Sequence, residues 1–251
     1  MTVNEIYSYI NSFAPFCAQE SWDNSGLLVG DGKNEVKSIM LCLDITKAVA
    51  LEAKAKNVSL VISHHPVIFS PLKALSPENP AVILASSGIS AICMHTSFDF
   101  ANGGLNDFLA KKLALGNVTD DAIDENSGLG RIIKLDKEMT AREIAKAAKQ
   151  ALGCKVVRVN NADKKVSTLG VISGSGADYF RLAANKGCDA LLTGDVKHDK
   201  FIDALNENFS IIDASHYYTE NIITEFLMDK LKGLDEEIFV ACEDKDITET
   251  I

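Results

Sequence analysis

The stretch VSLVISHHPVIF, residues 58–69, is apolar on both faces through Leu60, Val61 and Ile62 and then ends at two adjacent histidines, His64 and His65. A strand that is apolar on both sides must be covered on both sides, which points to a mainly parallel sheet lying between helices. The flanking sequence repeats the pattern. SIMLCLD (38–44) precedes the helix-like TKAVALEAKAKN (46–57), and ISAICM (89–94) precedes a loop and GGLNDFLAKKLAL (103–115). This alternation is that of an α/β protein.

Around residues 120–139, DDAIDENSGLGRIIKLDKEM, the periodicity lapses into charge and glycine, and we place a domain boundary there. A helix then opens at TAREIAKAAKQALG (140–153), with Thr140 and Glu143 spaced as a capping box and Gly153 as its stop. A second α/β series follows: CKVVRV, STLGVIS, the loop GSG (174–176), ADYFRLAANKG, DALLTG, a further helix, and SIIDAS leading into HYYTENIITEFLMDKL.

The 251 residues, 47% of them hydrophobic, are enough for two small domains with buried cores. No apolar run approaches the roughly 18 residues of a membrane span. The N-terminal MTVNEIYSYINSF spaces Val3, Ile6, Ile10 and Phe13 along one helix face, capped by Thr2 and Glu5, and so belongs to the fold rather than to a signal peptide. Six scattered cysteines without a C-x-x-C pair suit a reduced, cytoplasmic protein, and nothing marks them as ligands or nucleophiles. A net charge of −10 disfavours a broad nucleic-acid-binding surface.

In open α/β sheets, sites form beyond the carboxyl ends of strands, and all five histidines sit at such exits. His64 and His65 follow SLVIS, His95 follows ISAICM, His216 follows SIIDAS, and His198 lies a few residues past DALLTG. Asp99 stands four residues after His95, and Glu220 one helical turn after His216. Histidine with carboxylate suits divalent Zn, Mn, Fe or Co. Because adjacent side chains at a strand end diverge, His64 and His65 are expected to serve two ions roughly 3.5–4 Å apart, with Glu220 or Asp99 bridging them. The alternative is that each histidine is only a hydrogen-bonded structural residue. The GSG loop reads as a weak anion cradle or a plain tight turn. In TGDVKH (193–198), Asp195 reads either as part of a site or as the cap of the helix that follows. Trp22 reads as a packing anchor rather than a stacking platform.

These residues fall in an ordered set of motifs: ESWDNSGLLVG (20–30), SHHP (63–66), HTSFD (95–99), NGGLND (102–107), SGLGR (127–131), GSGA (174–177), TGDVKH (193–198) and DASHYYTE (213–220). In that set the chain resembles, over essentially its whole length, the dinuclear metal-centre family labelled GTP cyclohydrolase 1 type 2 homologues, in the short form without an inserted middle domain. The resemblance implies one ion on His64, Asp99 and Glu220 and a second on His65, His216 and Glu220. It implies two α/β domains, and the metal site is expected in the cleft between them; with the boundary placed above and Glu220 returning to the His64 region, the first domain is expected to be residues 1–125 plus about 215–251 and the second 126–214. It also implies a toroidal homohexamer. Where many members carry a second histidine or an alanine-rich stretch after TGDVKH, this chain has DKFI (199–202).

The activity so implied is metal-dependent hydrolysis of a nucleotide, with water attacking C8 of the purine of GTP, His95 or His198 moving protons, and Lys197, His198 and the GSG loop meeting the phosphates. Two alternatives remain open at this stage: a non-catalytic, metal-dependent binding or regulatory ring, and a dinuclear hydrolase of another phosphoester or an amide.

Overall fold

In the computed structural model, which describes residues 1–249, the strands in chain order are β1 Gly26–Val29, β2 Ser38–Cys42, β3 Leu60–Ser63, β4 Ser90–Cys93, β5 Gly116–Val118, β6 Arg131–Thr140, β7 Arg158–Val159, β8 Lys165–Val171, β9 Ala190–Thr193, β10 Ser210–Asp213 and β11 Glu237–Val240. The chain divides into two units, each with one sheet.

The first unit comprises Met1–Ala101 and Ile223–Ile247. Its sheet runs β1-β4-β3-β2-β11, with β4, β3, β2 and β11 mutually parallel and only the edge strand β1 antiparallel. Met40 and Val61 belong to one core cluster with Val49, Ala50 and Ala53 of the helix Lys47–Ala55 and Leu84 of the helix Pro80–Ser86. Their strand neighbours Ile39, Leu41, Leu60 and Ile62 are buried as completely and point to the other face. Each such side chain stabilises the fold by about 1.5–3 kcal/mol. The double-sided burial expected of β3 is therefore present. The helix Val3–Phe13 forms as its sequence predicts, with the Thr2–Glu5 capping box in place.

The second unit holds Asn102–Ile222. Its sheet, β5-β6-β8-β9-β10-β7, is mixed: β8, β9 and β10 are parallel, whereas β5 with β6, β6 with β8, and β10 with β7 are antiparallel. The expectation of mainly parallel sheets thus holds for the first unit and needs correcting for the second. The boundary also shifts. Residues 102–125 were expected in the first domain, but β5 pairs with β6 in the second sheet, and the helix His216–Glu220 falls in the second unit. The stretch 120–139, where the sequence places a domain boundary, holds all but the last residue of the ten-residue strand β6. Its outer half is largely exposed on both faces, so it carries charge without a period of two. The helix Ala141–Leu152 has the predicted Thr140–Glu143 box and ends at Gly153 with φ +73°.

Among the described residues, no helix is long and apolar enough to cross a membrane. Four of the six cysteines are buried, and burial pushes the thiols of Cys42 and Cys93 well above their ordinary range, so neither offers a thiolate.

Candidate metal centre

In the first unit the parallel register sets three strand exits abreast. Cys42, Ser63 and Cys93 are ladder partners, and the ladder continues past the strands, with His65 N–H donating to the Leu43 carbonyl and Met94 N–H to the Ser63 carbonyl, each at 3.0 Å. Asp44, His64, His65 and His95 emerge side by side as a result. The three imidazoles form a triangle with centroid separations of 5.1 Å (His64–His65), 5.2 Å (His64–His95) and 5.5 Å (His65–His95). One nitrogen from each lies within 4.8 Å of the others, close enough to hold an ion.

Each ring in this triangle is oriented through Nδ1. His64, fully buried, sets Nδ1 3.0 Å from the Met94 carbonyl, which can only accept, so Nδ1 carries the proton and Nε2 the lone pair. That Nε2 stands 3.8 Å from Oδ1 of the buried Asp99, on the short helix Thr96–Phe100. His65 Nδ1 meets Asp44 Oδ1 at 2.8 Å, and the turn carrying Asp44 is held by Asp244, whose carboxylate accepts the N–H groups of Leu43 and Asp44. His95 Nδ1 meets Asp23 Oδ1 at 2.7 Å. Asp23 also accepts from Thr96 N–H, Thr96 Oγ1 and Ser25 Oγ. Burial opposes its charge, but these bonds outweigh burial and hold the carboxyl well below the usual carboxylate range. Asp23 is therefore a fixed anion behind His95.

The second unit repeats the construction. β9 and β10 are parallel with Thr193 opposite Asp213, and Ala214 N–H donates to the Thr193 carbonyl, so the exits carrying Asp195 and His216 are adjacent. His216 Nδ1 lies 2.8 Å from Asp195 Oδ2, and its Nε2 lies 2.8 Å from Glu220 Oε2. A ring with a carboxylate at each nitrogen requires a cation between Nε2 and Glu220, either a proton or a metal ion. Two glycines make the room. A Cβ on Gly174 would stand 2.1 Å from Glu220 Oε1, and one on Gly194 would stand 2.5 Å from the backbone nitrogen of His216.

Of the residues singled out in the sequence, His64, His65, His95 and Asp99 are assembled by the first unit, and His216 and Glu220 by the second. His198 stands apart, exposed at the first turn of the helix His198–Asn206 and outside the potential ion-holding groups found among the described residues. Asp195 does not cap that helix: the N-cap position is Lys197, and Asp195 serves His216. In the GSG loop, Gly174 N–H donates to Thr219 Oγ1 and Gly176 N–H to Thr193 Oγ1, which commits two of its amides internally. The motifs NGGLND and SGLGR meet in a structural ion pair between Asp107 and the buried Arg131. Trp22 is 56% exposed and is no packing anchor. Sequence reasoning missed the orienting carboxylates Asp23 and Asp44. Their only signal was position: Asp44 lies at a strand exit, and Asp23 lies in the segment ESWDNSGLLVG.

Within each unit these donors suit a divalent cation: in the first, the imidazoles of His64, His65 and His95 with Nδ1 engaged by a carbonyl or a carboxylate, and the buried Asp99 beside His64; in the second, His216 with the buried Glu220. The sequence matches the family model described as Duf34/NIF3 (NGG1p interacting factor 3) over residues 1–247. The chain belongs to the DUF34/NIF3 family.

Relatives across this family carry different names. A Clostridium perfringens protein called GTP cyclohydrolase 1 type 2 homolog is 32% identical, with both chains covered in full. A Helicobacter pylori protein called GTP cyclohydrolase 1 type 2 is 36% identical over 90% of this chain and 91% of its own. The Saccharomyces cerevisiae NGG1-interacting factor 3 is 32% identical over 86% of this chain and 84% of its own. Among solved structures, a Staphylococcus aureus protein superposes with a TM-score of 0.91 at 26% identity, covering 100% of this chain and 99% of its own. Reduced HcgD from Methanocaldococcus jannaschii gives 0.84 at 29% identity, covering 96% and 98%. The NIF3 fold is thus shared along the whole chain.

Proposed function

We propose that this NIF3-family chain is a dinuclear divalent-metal protein, with ligands His64, His65, Asp99, His216 and Glu220, that hydrolyses a purine nucleotide in the manner of a GTP cyclohydrolase. The observation that carries the reading is the repeated orientation of imidazoles by an oxygen acceptor at Nδ1, which presents Nε2 beyond parallel strand ends beside a carboxylate. The name of the Helicobacter pylori relative supports the substrate class. When bound, divalent ions supply Lewis acidity, polarising the bond under attack and making water acidic enough to react near neutral pH.

The chain's own groups supply the rest. Asp44 and Asp195 fix the rings of His65 and His216. His95, held by Asp23, takes the proton of the attacking water at Nε2 and returns it to the departing ring nitrogen as oxygen bonds to C8 and the C8–N bond breaks. His198, exposed beside Lys197, contacts the phosphates. Buried thiols suit a cytoplasmic setting. A further element of the proposal is self-assembly into the hexameric ring the resemblance implies, supported by an apolar groove of about 440 Å³ along the edge strand β1, lined by Leu28, Ile68, Leu72, Leu75 and Val82. Sedimentation velocity tests it, a monomer at micromolar concentration counting against the ring.

The name of the yeast relative favours a second reading, in which the same metal-loaded scaffold binds a partner without turnover. Elemental analysis of tag-free protein, followed by chromatographic assay of GTP, separates the two. We expect about two ions per chain, far fewer in Glu220→Ala, and GTP consumed by wild type but not by His95→Ala. Two ions with GTP untouched would remove the hydrolase and leave the binding protein.

A further inference from the structure

Two of the largest exposed apolar side chains of the first unit lie beside its histidine triangle. Trp22 is 56% exposed and Phe69 52% exposed, yet both are in ring contact, with each other at 6.0 Å and with His95 at 6.0 Å and 6.3 Å. Solvent-facing aromatics are usually mobile and scattered. These two are clustered and make ring contacts with each other. The loops carrying them are tied together by Asn24 Nδ2, which donates to the Ile68 carbonyl at 2.6 Å. The Trp22 loop is tied again where Glu20 N–H donates to Thr96 Oγ1 and where Asp23 meets His95 and Thr96. The loop is therefore fixed on either side of the indole, at Glu20 before it and at Asp23 and Asn24 after it, while the indole itself remains largely in water. Core packing does not account for that arrangement, since exposure forfeits most of the burial free energy such a ring can gain. A rigid, exposed aromatic beside candidate catalytic groups is what recognition of a flat ring requires, because every base has a π-face and stacking on a pre-ordered indole needs no reorganisation.

We propose that Trp22, braced by Phe69 and the edge of His95, is the stacking surface for the purine base of the nucleotide, making it a specificity-determining residue. The inference rests on the nucleotide reading above and deepens it. Stacking on Trp22 would place the base against the His95 edge, the side from which that reading has the proton delivered.

The chain contains a single tryptophan, so its fluorescence reports on this position alone. Metal-loaded protein is titrated with GTP, guanosine and inorganic triphosphate. Guanosine and GTP are expected to quench the emission to the same saturating extent, and triphosphate to leave it unchanged. Binding of GTP, read as KM where GTP is consumed and by equilibrium dialysis where it is not, should weaken about tenfold in Trp22→Ala and be largely retained in Trp22→Phe, with metal content equal to wild type in both. Quenching by triphosphate equal to that by guanosine, or undiminished GTP affinity in Trp22→Ala, overturns the stacking role. Failure of the hydrolase reading looks different: guanosine still quenches Trp22, but GTP is recovered intact. If instead GTP is consumed with an unchanged KM in Trp22→Ala, the hydrolase stands and the stacking surface falls.

Discussion

Asp195 and His216 meet at 2.8 Å, Oδ2 to Nδ1, across the exits of two neighbouring parallel strands, and Asp195 does so with φ +51°, a backbone region that residues other than glycine seldom occupy. Aspartate is one of the few side chains that tolerates this region, and here it brings the carboxylate to face the imidazole. A carboxylate in that place fixes the ring and raises the basicity of Nε2 without itself binding an ion.

Asp195→Ala should therefore lower divalent-metal affinity by about 10- to 100-fold while leaving the fold intact. Competition with a chromophoric chelator measures it. Asp44→Ala should act similarly through His65, whose Nδ1 it holds. Unchanged affinity in both variants would show that the two rings need no orienting partner.

How much of this was legible in the sequence follows from distance along the chain. The capping boxes at Thr2–Glu5 and Thr140–Glu143 and the stop at Gly153 are local and were readable as such. So was β3, whose double-sided apolarity reflects double-sided cover. The histidines stood out because strand ends can be recognised from a few residues. The carboxylates behind them could not be read that way: Asp44 reaches His65 over 21 residues, Asp23 reaches His95 over 72, and Asp195 reaches His216 over 21, pairings that exist only once the sheet register is set. β6 was missed for the opposite reason, since a strand half exposed on both faces writes no alternation. Trp22 was misjudged because sequence carries no record of which face of a loop meets water.

Acid should loosen the first unit through Glu52. Burial disfavours its charge, but Lys56 and the N–H groups of Cys242 and Glu243 outweigh burial and bring its pKa down to about 2. A depressed folded-state pKa means that Glu52 adds stability above its unfolded value, about 4.3, and that this contribution is lost as pH falls from there towards 2. Urea midpoints measured between pH 6 and pH 3 should fall less steeply in Glu52→Gln than in wild type. Parallel curves would mean that the tether to residues 242 and 243 persists in the protonated form.

Gly174→Ala tests the placement of Glu220. The new methyl would stand 2.1 Å from Glu220 Oε1, the far end of a flexible side chain, so the carboxylate is expected to swing aside rather than the backbone to break. The φ of +59° adds backbone strain of about 1–2 kcal/mol. Gly103, with φ +74° and nothing within 4 Å of a new Cβ, gives the matched control. Both variants should lose similar stability in urea, but only Gly174→Ala should lose metal. Equal metal content in the two would show that Glu220 is not needed where it stands.

The pair Asp107–Arg131 should prove structural. Arg131 is 3% exposed, its Nε donates to Asp107 Oδ2 at 2.9 Å, and its Nη1 donates to the carbonyls of Gly128 and Gly130 at 2.8 Å and 2.6 Å. Asp107→Ala strands a buried guanidinium, which cannot shed its proton, and should cost about 3–5 kcal/mol. Arg131→Met removes the charge that needs compensation and leaves Asp107, the more exposed partner, still accepting Gly103 N–H, so it should cost less. The order of the two urea midpoints is the measurement. If Arg131→Met proves the more damaging, then the guanidinium's bonds to the Gly128 and Gly130 carbonyls, and not its neutralisation by Asp107, hold this corner of the second unit together.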